Sequence, residues 1–284
     1  ISLGLVGSEM CIRDSAMSYN AISFITLYKK EVQRFTKIPL QTIVAPAGTS
    51  LLFLVIFTTA IGSVRTNYPL DSFKSFLFPG LIMMTIIQNA FMNNSSSILM
   101  SKVQGNIVDL LMPPLSNVEI ILAFTLAGIT RGLAVAIACA LVMYPFIEVT
   151  IYNIWVVLAF AILASAIMSL VGMISGIWAE KWDHLGTVGN FVIVPLSFLS
   201  GTFYSITVLP DAIQTASLAN PFFYMIDGFR YGFLGFGDSP LSYAFIVLIL
   251  ILLSLVMVNF MMLKSGYKLR SCLLYTSDAA DDLL

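Results

Sequence analysis

Long runs of apolar residues recur along this chain, separated by short polar segments. A hydrocarbon core of roughly 30 Å needs about 20 residues of helix to cross it, and each run is long enough. The runs are continuous rather than alternating at short spacing, which favours helices over a membrane β-barrel. We therefore predict an all-α membrane protein with six transmembrane helices. The predicted spans are residues 40–61, 76–97, 117–144, 154–179, 187–206 and 241–263.

The segment before the first run, residues 17–37, is too polar to span a membrane. Apolar positions recur along it, and four basic residues lie in its second half. This pattern predicts an N-terminal interfacial helix, with its apolar side in lipid and its basic side toward anionic head groups. The basic residues are Lys29, Lys30, Arg34 and Lys37.

Two features of the second and third spans are costly in lipid. The second ends in the polar sequence QNAFMNNSSS, which should face the bundle or a cavity. Arg131 lies in the middle of the third, where a charge costs at least about 2.5–3.5 kcal/mol on insertion scales. Its candidate partners are backbone carbonyls or the polar residues around Asn93 and Asn94. Two roles stay open for Arg131: a buried anchor between helices, which we favour, and contact with an anionic substrate.

Composition supports a membrane protein and narrows its function. Of 284 residues, 58% are hydrophobic and 10% are charged, against roughly 25% charged in soluble domains. The formal net charge of -1 argues against a nucleic-acid partner, which would require a basic surface. The sequence has no Gly-x-x-x-x-Gly-Lys-[Ser/Thr] motif to hold ATP. His184, the only histidine, lies in a polar loop with Glu180 and Asp183, too few ligands to indicate a metal site.

The two ends of the chain look foreign to the rest. Residues 10–15 back-translate to ATGTGTATAAGAGACAG, and the reverse complement of this DNA encodes Cys-Leu-Leu-Tyr-Thr, the sequence at 272–276. A sequencing adapter at both ends of one fragment would produce this relation. We therefore expect residues 1–16 and 272–284 to be adapter-derived, with one membrane domain at 17–271. Cys139 is then the only native cysteine, which excludes a disulfide framework.

Basic residues near the span ends predict the orientation. One side carries the N-terminal basic cluster and the basic residues of the loops between spans two and three and between spans four and five, together with those after span six. The other side carries only Arg65, Lys74 and Arg230. Both termini are therefore predicted to be cytoplasmic, and the segment before the last span lies outside.

That outer segment, residues 198–235, combines broken backbone with aromatic density. Proline disfavours helix in the residue before it, so the chain should break near 209 and again near 220. We predict short helices that enter the outer half of the membrane and return, with Asn220 capping and Pro221 starting the second. Gly228, Gly232 and Gly235 allow close approach to a neighbour. Arg230 should reach the outer head groups or pair with Asp227.

The order of residues in this segment resembles the signature before the last membrane helix of ABC-2 type permeases. The matching residues, with Asp227, form a predicted re-entrant gate at the outer mouth. They are Leu209, Pro210, Asn220, Pro221, Tyr224 and Arg230.

The link between spans two and three is similar to the coupling segment of the same family. Residues 106–111 read as a short helix, and Ser116 with Glu119 forms a capping-box pattern at the next helix. In the family this segment docks on the ATP-binding subunit, and we expect Leu110 and Leu111 to supply apolar surface for it. The residues that match are Gly105, Asp109, Leu110, Leu111, Pro114, Leu115 and Ser116.

The resemblance covers nearly all of residues 17–271 and is strongest to the YadH-like inner-membrane permeases of Gram-negative bacteria. It implies a homodimer of six-span subunits in the bacterial inner membrane that exports a substrate. ATP and Mg²⁺ would be held by a separate ABC ATP-binding subunit, so the chain itself is not an enzyme and carries no catalytic residue or cofactor. Alternatives are an ion-gradient-driven secondary transporter and a non-transporting structural membrane protein. The first usually places ionisable residues at mid-membrane, often with repeated halves. Here the spans offer only Arg131, no acidic residue and no visible repeat. The substrate itself is not predicted.

Overall fold

The computed structural model describes residues 21–62, 70–111, 113, 115–147, 149 and 151–268, which form a helical bundle. The predicted adapter-derived ends lie outside the described residues. The α-helices are α1 (Ala21–Thr36), α2 (Ala45–Gly62), α3 (Leu70–Val103), α4 (Ile107–Leu111), α5 (Asn117–Met143), α6 (Ile154–Trp178), α7 (Trp182–Thr187), α8 (Val194–Leu199), α9 (Asp211–Leu218), α10 (Pro221–Leu234) and α11 (Leu241–Ser265).

Five helices of the described part are long and apolar enough to cross a membrane. Their ranges are Leu40–Ala60, Phe73–Val103, Asn117–Phe146, Ile154–Trp178 and Leu241–Ser265. They agree with the predicted first, second, third, fourth and sixth spans. Helix α3 is longer than predicted at both ends and, with 34 residues, is about 51 Å long.

The structure differs from the prediction for the fifth span. Helical backbone runs from Trp182 through a π-helical turn at Val188–Ile193 to Leu199. It therefore starts earlier and ends earlier than residues 187–206. Its first turn carries Asp183, and the chain turns sharply at Gly201, whose φ is +76°. Because this segment is shorter and more polar than the other five, a sixth span stays a prediction.

Small residues bring α3, α5 and α6 into close contact. A Cβ atom on Gly128 or Gly132 of α5 would collide with Ser169 or Ser165 of α6. A Cβ atom on Gly172 of α6 would lie 2.3 Å from the carbonyl oxygen of Phe91 on α3. Without a hydrophobic force between helices in lipid, such close backbone packing is a main source of association.

The polar end of the second span faces this interior, as predicted. Asn93, Asn94 and Ser95 are fully buried, and Ser97 is nearly so. The Asn94 Nδ2 donates to the Oγ and carbonyl of Ser169, which ties α3 to α6. The amide-rich face of α3 is therefore satisfied by the bundle rather than by lipid.

Helix α10 fills the interior at one end of the bundle, between α3, α6 and α11. It is buried on nearly all sides from Phe222 to Phe233. Gly228 lies against the Phe160 ring and Gly232 against Val157, both on α6, so the predicted close approach of these glycines is confirmed. We call this end of the bundle the α10 end and the opposite end, where α3 leads into α4, the α4 end.

Helix α1 lies against α3 and α5 and differs in part from the predicted interfacial helix. Lys29, Lys30 and Lys37 are exposed, as the prediction requires. However, the side that faces the bundle contains Glu31, which is 2% exposed, beside Phe35. Pairing explains this burial, because the Glu31 carboxylate binds Arg34 and Ser97. Part of the polar side of α1 is thus anchored in the protein.

Candidate functional site

A polar cleft opens between α2 and α3, near the middle of the bundle. Its volume is about 280 Å³. Backbone turns of α2 supply one wall and the amide-bearing turns of α3 supply the other. The lining residues are Gln41, Ala45, Pro46, Thr49, Ser50, Phe53, Leu81, Met84, Thr85, Gln88 and Asn89. The walls combine amide and hydroxyl groups with an apolar side, which suits a ligand that is itself part polar and part apolar.

Arg131 of α5 contacts Asn89, one of the residues that line this cleft. It is 8% exposed, and its Nη2 donates to Oδ1 of Asn89 at 3.2 Å. Its Nε has no hydrogen-bond partner in the described part of the chain. The partner predicted near Asn93 and Asn94 is therefore one helical turn away, at Asn89. A neutral amide satisfies one donor of the guanidinium and does not neutralise its charge.

A second guanidinium, that of Arg34, binds the next turn of α3. Arg34 of α1 donates from Nη2 to the carbonyl and Oδ1 of Asn93, at 2.5 and 3.1 Å. Its Nε lies 3.2 Å from Oε2 of Glu31. The one carboxylate of this cluster is thus already paired with Arg34. Glu31, Arg34 and Arg131 together carry a net charge of +1.

The exposed side of α1 extends this basic region toward solvent. An open hollow of about 670 Å³ is lined by Lys29, Lys30, Arg34 and Lys37, with Thr26, Gln33 and Ile38. Ile38 is followed by the π-helical turn at Leu40–Val44, where Gln41 begins the cleft wall. Basic side chains therefore lead along α1 to the mouth of the cleft.

The segment predicted to couple to an ATP-binding subunit forms a short hairpin at the α4 end. Gly105 has a φ of +75° in the turn between α3 and α4, a conformation that glycine adopts without strain. Ser116 and Glu119 form the predicted capping box at the start of α5. Pro114 and the side chain of Leu111 lie outside the described residues.

Leu110 corrects one expectation about this hairpin. It is 7% exposed and packs with Leu27, Ile98 and Ile120 instead of pointing outward. The exposed side of α4 instead carries Val108, at 50% exposed, and Asp109. Leu110 faces inward because Leu27, Ile98 and Ile120 form an apolar site beside α4. Leu115 also packs against the inner cluster, in which it is partly buried.

Lys102 fixes the hairpin to α6. The residue is 5% exposed, and its ammonium donates to the carbonyls of Ile177 and Ala179, at 2.7 and 2.6 Å. A cation at the last carbonyls of a helix satisfies unpaired acceptors and stabilises the helix dipole. The sequence had suggested this lysine only as a marker of orientation.

The loop after α6 is held by a surface ion pair. Lys268 Nζ lies 2.8 Å from Oε1 of Glu180. This contact lowers the pKa of Glu180 and raises the pKa of Lys268, chiefly through their hydrogen bond. His184 packs its ring on Trp178, and its Nδ1 accepts from the Glu180 backbone N–H at 3.4 Å.

At the α10 end, the predicted break at Asn220-Pro221 is confirmed. Helix α9 ends at Leu218, and α10 begins at Pro221, with the Asn220 side chain accepting from the Phe222 N–H at 3.1 Å. The Asn220 Nδ2 also donates to the carbonyl of Leu196 at 2.9 Å. Tyr224 donates its hydroxyl to the carbonyl of Leu218 at 2.8 Å. Leu209 and Pro210 lie in the turn that leads into α9.

Asp227 and Arg230 behave differently from the prediction. No ion pair joins these two described residues, and Arg230 does not reach a surface, because it is only 2% exposed. Its Nη2 donates to the carbonyl of Gly201 at 2.6 Å, and its guanidinium lies 3.8 Å from the centre of the Phe76 ring. Asp227 instead accepts the backbone N–H groups of Asp238 and Ser239, at 2.8 and 2.9 Å. Tight packing of α10 prevents the predicted extension of Arg230.

Comparison with known proteins decides between the classes that this architecture allows. Residues 22–234 match the family described as ABC-2 type transporter. The chain belongs to the ABC-2 type transporter family. This match covers α1 through the end of α10, so the α4 hairpin and the α9–α10 element are both within the ABC-2 region.

Individual relatives agree with this assignment. The inner membrane transport permease YadH of Escherichia coli K12 is 38% identical over 251 residues, which cover 88% of this chain and 98% of that protein. Proteins of the same name in Escherichia coli O157:H7 and Shigella flexneri match equally. The ABC-2 family and a named transport permease support the assignment of this chain as an ABC transporter membrane subunit.

The contacts of three buried polar residues, Asn89, Glu31 and Lys102, were not predicted from the sequence. Asn89 could have been found as the amide one turn before Asn93 on the same face of α3. Glu31 could have been found as an acid three positions before Arg34 on the same helix. The inward role of Lys102 has no signal in the sequence.

Proposed function

We propose that this chain is the membrane-spanning subunit of an ABC exporter in the bacterial inner membrane. It performs no chemistry, and a separate ATP-binding subunit holds ATP and Mg²⁺ and hydrolyses the nucleotide. The family and the printed name of the Escherichia coli relative, an inner membrane transport permease, support this function. Two copies of the chain form a homodimer and alternate access between the two sides.

The observation that carries the proposal is the α4 hairpin. A helix of five residues is held rigidly between two long helices by buried Leu110, the Lys102 contacts and the Ser116 capping box. Its outer side presents Val108 and Asp109. A short, firmly anchored helix with an exposed face can transmit the motion of a partner without bending. We therefore assign the ATP-binding subunit to this face.

Orientation and the outer gate belong to the same proposal. The basic residues of α1 and of the region after α11 support a cytoplasmic position for both termini and an outer position for the α10 end. The helical segment Trp182–Leu199 then crosses as the sixth span. Helices α9 and α10, with Leu209, Pro210 and Asn220 at their ends, close the outer mouth as a re-entrant gate.

The proposal is tested by expressing the chain with ABC ATP-binding subunits encoded near its gene. We expect one of them to co-purify with the permease and its ATP hydrolysis to depend on the permease. Transport in reconstituted vesicles should stop when ATP is removed. Transport that continues on an ion gradient alone would overturn the proposal and favour a secondary transporter.

The coupling face is tested by Val108→Asp. This change replaces exposed apolar surface with a charge that must be desolvated on docking, so we expect roughly tenfold weaker association with the ATP-binding subunit. Val108→Ile keeps the surface apolar and is the matched control. Equal association of both variants with the partner would show that α4 is not the docking face.

A further inference from the structure

We propose that Lys102 passes the motion of the α4 hairpin to helix α6, which carries it to α10 at the opposite end of the bundle. This inference rests on the proposed ABC transport function and assigns the route by which the ATP-binding subunit acts on the α10 end. Lys102 acts through α6, so it is a positioning residue. Three features support the route: a buried ionic contact at one end of α6, an unbroken helix, and backbone hydrogen bonds at the other end.

Lys102 is a buried cation directly beside the α4 hairpin. It lies in the last turn of α3, just before the Gly105 turn that leads into α4. Its Nζ donates to the carbonyls of Ile177 and Ala179, which end α6. Hydrogen bonds from a charged donor are roughly twice as strong as neutral ones. The hairpin therefore cannot shift without moving the end of α6 or breaking this contact, which we call the Lys102 clamp.

Close packing surrounds the Lys102 clamp. Leu99 of α3, Ala179 and Leu185 of α7 form a small buried cluster. One turn further along α6, a Cβ atom on Gly176 would lie 3.0 Å from the carbonyl oxygen of Ser95, so the backbones of α3 and α6 are close together. Packed interiors have low compressibility and transmit a displacement. A movement of the hairpin is therefore passed on to α6.

Helix α6 is continuous over its whole length. Its 25 residues, Ile154–Trp178, span about 38 Å and include no proline. Helix α3 also reaches from the hairpin to the α10 end, but it contains Pro79. Prolines are common points of bending in long helices. Helix α5 is also continuous, but α10 packs mainly against α3, α6 and α11. Of these routes, α6 is the one best suited to carry a movement to α10.

Backbone hydrogen bonds join the other end of α6 to α10. The N–H groups of Tyr152 and Asn153, just before α6, donate to the carbonyls of Phe233 and Gly232, at 3.1 and 2.8 Å. Gly228 and Gly232 also leave α10 in direct contact with side chains of α6. These contacts leave little freedom between the two helices. A displacement of α6 therefore displaces α10.

The test follows the α10 end in the complex of the full chain with its ATP-binding subunit. A fluorophore sensitive to its surroundings is attached to Ala212→Cys, on the exposed side of α9. Helix α9 reports on α10 because the Tyr224 hydroxyl donates to the last carbonyl of α9. Cys11→Ser and Cys272→Ser keep the fluorophore at this position, and Cys139 is buried. The measurements are association of the subunit, ATP hydrolysis, and the change in emission when ATP and Mg²⁺ are added.

Lys102→Met removes the ammonium donors and keeps most of the side-chain volume. We expect association and hydrolysis within about twofold of wild type, and an emission change smaller by at least about fivefold, the lower end of typical allosteric couplings. Lys102→Arg keeps a cationic donor and should retain most of the emission change. Lys181→Met is the matched control, because it removes an exposed lysine from the loop beside the Lys102 clamp. It should leave all three measurements unchanged.

A second reporter tests α6 without changing Lys102, which matters if Lys102→Met fails to fold. Trp155 is 77% exposed in the first turn of α6, so Trp155→Cys accepts the same fluorophore. We expect ATP to change the emission at Trp155 as well as at Ala212. A change at Ala212 without one at Trp155 would show that the motion bypasses α6.

Two further results would overturn the inference. An emission change per folded complex of Lys102→Met equal to that of wild type would show that Lys102 only stabilises the end of α6. An absence of any ATP-dependent change at both reporters in the wild-type complex would show that the α10 end is not driven from the hairpin. Failure of the wild-type chain to bind an ATP-binding subunit would instead contradict the proposed function, so the two failures are distinguishable.

Discussion

The surroundings of Arg131 and Arg230 differ although both residues are buried arginines on helices of one bundle. Both use Nη2 for a single hydrogen bond, and in both the Nε has no partner among the described residues. Arg230, however, lies on an aromatic ring and binds a backbone carbonyl in a closely packed interior. Arg131 binds the amide of Asn89, which lines the cleft, and Arg34 of α1 binds Asn93 on the next turn of α3.

This difference separates an arginine held in a packed interior from one held by a single neutral amide. At Arg230, Gly80 removes the Cβ atom that would meet both the Thr202 carbonyl and the guanidinium, so the site is shaped around its arginine. Arg131 is 8% exposed and is held by the neutral amide of Asn89. The same residue type therefore joins α10 to the Gly201 turn in one region and α5 to α3 in the other.

The largest expected effect is that of Arg230→Ala. The change removes a charged hydrogen bond and a cation–π contact and leaves the Gly201 carbonyl buried without this donor. We expect a loss of about 3 kcal/mol in the free energy of unfolding. Reversible unfolding of the protein in mixed micelles measures it. Arg230→Lys should recover part of the loss, and an unfolding free energy equal to wild type for Arg230→Ala would contradict a structural role.

Asp227→Asn should have the next largest effect on the free energy of unfolding. The carboxylate accepts two backbone N–H groups and the Ser239 hydroxyl, and an amide can offer only one acceptor oxygen to these donors. We expect a loss of about 2 kcal/mol in unfolding free energy by the same measurement. The exposed Asp211→Asn is the control and should change stability by less than about 0.5 kcal/mol. Equal effects of the two substitutions would show that the 227–239 contacts contribute nothing.

Arg131→Gln should have a small effect on stability, in contrast to Arg230→Ala. It removes a desolvated charge that has no ionic partner among the described residues, and the glutamine can still donate to Asn89. We expect the free energy of unfolding to change by no more than about 1 kcal/mol. Replacing a buried charge by a neutral group is often neutral or stabilising. A loss as large as that of Arg230→Ala would show that Arg131 anchors the helices as strongly. The contrast between the two arginines would then be wrong.

The smallest expected effect on stability is that of Lys268→Ala, which removes the exposed ion pair with Glu180. The lowered pKa of Glu180 gives a contribution that is present above its ordinary value of 4.5 and is lost as pH falls through the folded value. The raised pKa of Lys268 gives a contribution that is lost only as pH rises above 10.5. Thermal unfolding at pH 7 should shift by less than about 1 °C, because solvent screens the pair. A larger shift, or one that persists at pH 3, would contradict this interpretation.

Local signals in the sequence predicted local structure well. The Asn220 cap, the Pro221 start of α10 and the Ser116 capping box depend on neighbouring residues, and each is found as expected. The polar face of α3 was predictable for a similar reason, because lipid cannot satisfy amides.

Tertiary partners were less predictable. Leu110 turned inward because α1 and α5 offer it a buried site, which no feature of residues 105–116 reveals. Asp227 binds the turn at 238–239 instead of Arg230, three residues away, since backbone donors at that turn are closer than the guanidinium. The π-helical turn at Val188–Ile193 and the early end at Leu199 likewise depend on packing that hydropathy does not record.

The burial of α10 has a consequence for synthesis. This helix fills the space between α3 and α6, and its carbonyls at Gly232 and Phe233 accept the backbone N–H groups of Asn153 and Tyr152 at the start of α6. Those residues leave the ribosome well before α10 does. The earlier helices must therefore insert first, and the space between them stays unfilled until residues 221–234 are synthesised. Truncation before that point would leave inserted helices without a finished interior, a natural substrate for membrane quality-control proteases.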